Sequence, residues 1–212
     1  MPTEWDFEYM AWHEAGHAVV SLVLPEQEPI ERISIEPGDE AFGFMRTVPR
    51  PHHNGTEVSL RSAMAVFLAG PLAERRFLGR STTSGADDIA NARAIARDMV
   101  LRFGMGPRLG LHGPAISGEA ISEHHLRAVE ADEQRLLRAA ERAAKTALHR
   151  NAPLVRALAE ALLTRRTLLA DDIAILQESV QRPLFSKLCG LRIGRICRRR
   201  SQSFDCEGEP LR

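Results

Sequence analysis

Lysine is almost missing from this chain: Lys145 and Lys187 are the only two, and every other basic residue is arginine. The 28 basic residues are matched by 28 acidic ones, so no net field draws the protein to nucleic acid or to an anionic membrane surface. There is no Gly-Lys pair anywhere, which excludes a phosphate-binding P-loop within these residues. Long apolar runs are lacking too. The longest, Ala63 to Ala73, is interrupted by Gly70 and Pro71 and falls short of the roughly 20 residues a transmembrane helix needs, so no transmembrane segment is expected. The amino terminus opens with Glu4, Asp6 and Glu8 instead of a positive region and an apolar core; it does not read as a secretory signal, and a cytoplasmic location is the expectation. Cysteine is limited to Cys189, Cys197 and Cys206, whose number and spacing suit neither a disulfide framework nor a zinc knuckle, so they are read as reduced thiols. No internal repeat is present.

What the chain does contain is enough apolar material for a core, 44% of 212 residues. Apolar residues recur at helical spacing from about Phe7 to Leu24, where Pro25 stops the pattern. Glu31 to Ile35 alternates as a half-buried strand does. Pro37-Gly38-Asp39 signals a turn, and a second strand is predicted from Phe42 to Val48. Pro49 to Gly55 reads as a loop, with Thr56 and Ser59 as caps for a helix to Phe77. Another loop, Gly79 to Gly85, precedes a helix that starts at Asp87 and Asp88 and runs to Phe103, and Gly104 to Gly118 reads as irregular. A long helix follows from about Ser122 to His149, with Leu126, Val129, Leu136, Leu137, Ala140, Ala144 and Leu148 on its inward side. Asn151-Ala152-Pro153 breaks it, and two shorter helices, Pro153 to Leu163 and Asp171 to Val180, complete an antiparallel helical half. The expected fold is mainly α with a small β-hairpin or sheet after the first helix. Residues 1–182 form the domain, with halves at 1–110 and 119–182, and 183–212 is a basic, disordered tail.

The segment that carries chemistry is His13-Glu14-Ala15-Gly16-His17. Two imidazoles four residues apart lie one helical turn apart on one face, close enough to hold a single ion. Neutral imidazoles suit zinc, which in a catalytic site takes three protein ligands and leaves one position to water. Glu14, beside the first histidine, is placed to take a proton from that water. On an ordinary helix the same histidines would merely pack or cap. Against that, Ala18, Val19 and Val20 give the helix an apolar flank to bury, and Asp88, after a Gly/Thr-rich loop, offers a further acidic ligand.

Trp12 to Val19 resembles the active-site helix of the FtsH family of ATP-dependent zinc proteases, peptidase family M41. Leu68-Ala-Gly-Pro-Leu-Ala-Glu74 is similar to that family's LxGRxAE segment, and Thr82-Thr-Ser-Gly-Ala-Asp-Asp-Ile89 to its TTGAxND[IL] segment. Ala96 to Val100, Phe103 to Met105 and Leu109-Gly110 follow in the same order, as do Leu154 to Leu163 and Thr167 to Ile173. The resemblance implies zinc ligation by His13, His17 and Asp88, with Glu14 as the catalytic base. Asp87 stands where the family has Asn and is read as an exposed carboxylate at the helix start. Glu74 matches the first acid of a family Glu pair and Arg75 replaces the second. Glu74 therefore either orients a ligand histidine or is a surface charge.

The remaining histidines, His52, His53, His112, His124, His125 and His149, have no ligand spacing relative to the motif and are read as solvent or core residues. The resemblance implies a zinc endopeptidase acting on peptides or unfolded polypeptides, without the family's AAA+ ATPase module. A homo-oligomeric ring or a separate AAA+ ATPase is the expected partner. The alternative is a non-catalytic, accessory module of the same fold, which would have no physical need for a base beside three ligands.

Overall fold

The computed structural model of the protein describes residues 3–37, 42–49, 55–112 and 122–180. Most of the expected turn at 37–39, most of the loop at 49–55, His52 and His53, much of the 104–118 stretch, and the basic tail at 183–212 lie outside the described residues.

The first helix, α1 (Glu4–Val23), starts at a capping box. The Thr3 hydroxyl accepts from the Asp6 N–H, and the Asp6 carboxylate accepts from the Thr3 N–H. It ends where Leu24 turns extended before Pro25. Its middle is so apolar and small that Ala11, Ala15, Ala18, Val19 and Val20 are all buried. Next come β1 (Ile30–Pro37) and β2 (Phe42–Thr47), then α2 (Glu57–Phe77), which begins at a reciprocal cap between Thr56 and Ser59. α1 crosses α2 closely: a Cβ on Gly16 would stand 2.6 Å from the Ala73 Cβ and 2.8 Å from the Ala69 carbonyl oxygen. Small residues at this crossing bring the two helix backbones together and set the depth of everything α1 presents to α2.

A short 3-10 turn, Thr83–Gly85, leads into α3 (Ala86–Leu101). Pro71, inside α2, fixes this turn: its ring sits against Gly85 so tightly that any Cβ there would overlap it. α4 (Glu123–Arg150) packs on α2 and α3, α5 (Ala152–Arg165) packs on α1, and a last helix, α6, covers 170–180. Asp132 of α4 is fully buried and accepts from the N–H groups of Arg108 and Leu109, both at 2.9 Å, which ties the segment after α3 to α4. No helix among the described residues is long and apolar enough to cross a membrane.

The small sheet expected after the first helix is three-stranded and antiparallel, of order β2-β1-β3, and its third strand, β3 (Thr167–Leu169), which was not foreseen, comes from the far end of the chain. It pairs Ser34 with Thr167, whose hydroxyls lie 2.8 Å apart. Leu126 is not on the inward side of α4: it is 45% exposed, because burial begins only one turn later, at Val129.

Candidate metal centre

The middle turns of α1 carry His13, Glu14 and His17, all nearly inaccessible at 4%, 4% and 6% exposure. Asp88 enters from the first turn of α3. Its Oδ2 lies 3.0 Å from His13 Nε2 and 3.4 Å from His17 Nε2, and the two Nε2 atoms are 3.0 Å apart. Nitrogen and oxygen ligands held tetrahedrally by zinc at its usual bond lengths are about 3.3 Å from one another. The observed spacing fits such an ion.

The far side of each imidazole is already committed. His17 Nδ1 donates to the Val66 carbonyl at 2.7 Å, and His13 Nδ1 lies 2.6 Å from Glu74 Oε1. Both Nε2 atoms therefore point at each other and at a carboxylate, an arrangement that needs a cation between them. Burial works against charge on His13, but the carboxylates of Asp88 and Glu74 outweigh it and push its pKa up to about 9. Burial would raise Asp88, yet its contacts with His13 and His17 hold it well below the usual carboxylate range. Glu14 is raised, chiefly by burial.

Glu74 is fully buried and is the hub of the support around His13, so the surface-charge reading does not hold for it. Its two oxygens also accept from the Thr82 N–H at 2.6 Å and the Ser84 hydroxyl at 3.2 Å. These contacts hold its pKa down although burial raises it. The same carboxylate thus positions His13 and the turn that delivers Asp88. Arg75 is exposed, as is Asp87. A cleft of about 470 Å³ opens over Glu14 and both histidines, walled by Met10, Gly43, Phe44, Met45 and Asp87, among others. Gly43 has φ +92°, and a Cβ there would meet Met10 and stand 3.0 Å from Glu14 Oε1, so only glycine lets the strand run this close. Among the described residues, His112, His124, His125 and His149 are exposed and take no part.

Sequence reasoning missed the Val66 carbonyl and Gly70. A backbone acceptor leaves no sequence signal. Gly70, in the middle of a helix where glycine costs about 1 kcal/mol against alanine, did leave one. Glu74→Gln should weaken binding of a divalent cation about 10- to 100-fold, since the charge that orients and polarises His13 is lost. Competition with a chromophoric chelator measures this, and an unchanged affinity would remove Glu74 from the site.

Several known proteins are similar to this chain over most of its length. ATP-dependent zinc metalloprotease FtsH of Acidobacterium capsulatum is 31% identical over 194 residues, covering 85% of this chain and 30% of that protein. FtsH of Paraburkholderia phymatum is 34% identical over 187 residues, 80% of this chain and 29% of that protein. ATP-dependent zinc metalloprotease YME1L of Drosophila melanogaster is 32% identical over 188 residues, 84% of this chain and 25% of that protein. The chain thus spans between a quarter and three-tenths of these relatives' length. The family model described as peptidase family M41 matches residues 3–176, so by sequence and by its mainly helical fold the chain belongs to peptidase family M41.

Proposed function

We propose that this domain is a zinc-dependent endopeptidase in which His13, His17 and Asp88 hold the metal and Glu14 is the general base. The observation that carries the reading is the convergence of His13 Nε2, His17 Nε2 and Asp88 Oδ2, with each imidazole fixed from behind by a buried acceptor. Zinc, when bound, supplies Lewis acidity and makes water in its open position acidic. Glu14 accepts the proton of the attacking water. Its burial raises its basicity toward that task, and the same carboxyl then gives the proton to the leaving amine. Glu74 keeps His13 in the tautomer that presents Nε2, and Val66 does the same for His17.

The cleft over Glu14 measures about 470 Å³, a size that supports peptides or unfolded chains as the substrates. A AAA+ ATPase, in line with the ATP dependence in the relatives' names, is the proposed partner that would deliver them.

The ligand assignment separates the two neighbouring aspartates. Asp88→Asn should cost much more zinc affinity than Asp87→Asn, because only the Asp88 carboxylate offsets the charge of the ion beside both histidines. Equal losses in chelator competition would mean that the ligand set is wrong.

A further inference from the structure

Beside the cleft, the outer face of the sheet holds two neighbouring arginines that have no counter-ion among the described residues. Arg32 and Arg46 stand directly opposite each other across β1 and β2, where like charges oppose strand pairing. Both guanidinium groups lie over the ring of Phe44, with Cζ 5.1 Å and 5.8 Å from its centroid. Neither forms an ion pair among the described residues. Arg32 Nε is buried and has no hydrogen-bond partner among them. Among the described residues, then, two cations are held together that no carboxylate neutralises.

Their place gives them a role. Phe44, which both arginines cover, also lines the cleft that contains Glu14 and the two histidines. Among the described residues β2 is an edge strand, so an extended chain laid along its free side continues the sheet. Side chains of that chain alternate between faces. On the inner face they meet apolar Met10 and Met45; on the outer face they come beside Phe44 and Arg46, with Arg32 one strand further in.

We infer that Arg32 and Arg46 form a subsite for a carboxylate side chain of the substrate, so that the enzyme favours Asp or Glu at positions flanking the scissile bond on the outer face. This rests on the endopeptidase reading given above. Phe44 holds the two guanidiniums in place, which leaves their N–H groups pre-oriented for a carboxylate.

The test uses quenched fluorogenic peptides of one neutral sequence, with Glu, Gln or Lys placed in turn at each position flanking the scissile bond. At the outer-face positions kcat/KM should rank Glu over Gln over Lys, with about two- to fivefold at each step. The Glu-to-Gln ratio should fall toward one in Arg32→Gln and Arg46→Gln, turn in favour of Lys in Arg32→Glu/Arg46→Glu, and shrink in high salt. Each ratio is taken within one enzyme, so partial loss of fold cancels. Fluorescence anisotropy of the same peptides on zinc-loaded Glu14→Gln should give the same ranking without turnover. Cleavage with no charge preference, or a Glu preference that survives charge reversal, overturns the subsite and leaves the proposed chemistry standing. Binding that ranks Glu first while wild type cleaves nothing supports the subsite and contradicts the chemistry; binding without that ranking overturns the subsite.

Discussion

Replacing Glu14 with glutamine should lower peptide hydrolysis by about 10²-fold or more while zinc stays bound and the fold is kept. Gln has the same shape, so the packing around Glu14, 4% exposed between α1 and the approaching Gly43, is preserved. What disappears is the proton acceptor. Burial raises the Glu14 pKa, so the native carboxylate is a better base than one in water, and an amide cannot take its place. Loss of a desolvated charge should not weaken the fold, and thermal unfolding of the variant should match or exceed that of the parent. Turnover like that of the wild type would put the base elsewhere.

A second large effect is expected at Gly70, a residue that is not among those lining the cleft. An alanine Cβ there would stand 2.5 Å from His17 Nε2 and 2.6 Å from both Cε1 and Nε2 of His13, in the space the ion needs. The rings cannot swing aside without breaking the bonds to Val66 and Glu74, and the helices cannot part without opening the Gly16 crossing. Gly70→Ala should therefore reduce zinc affinity by more than the roughly 100-fold upper range expected for loss of an orienting partner. Helix content should be unchanged, because alanine favours the helix by about 1 kcal/mol over glycine. Full zinc occupancy in this variant would mean that the ion sits elsewhere.

The pattern of what could be read in the sequence follows from the range of the forces involved. The spacing of His13 and His17 equals one helical turn, so a purely local rule places both rings on one face of α1. Thr56 and Ser59 announced the start of α2 in the same local way. The tertiary partners were less visible. Asp88 is 75 residues from His13, and it was the resemblance to family M41 that paired them. Glu74 had two open readings until its burial became known, since whether a carboxylate on a helix faces in or out depends on what the next segment supplies, here Thr82 and Ser84. β3 was invisible because three residues are too few to show a period of two, and its pairing with β1 depends on a chain closure of more than a hundred residues. Leu126 was misplaced because the apolar period of α4 starts one turn before the point where packing begins, at Val129.

The measurement that bears most directly on the account is metal analysis of the purified protein with location of the ion by anomalous scattering at the zinc edge. The predicted result is one zinc per chain, in contact with His13 Nε2, His17 Nε2 and the Asp88 carboxylate. Protein prepared in zinc-supplemented medium that contains no zinc, or zinc held by other residues, would contradict it.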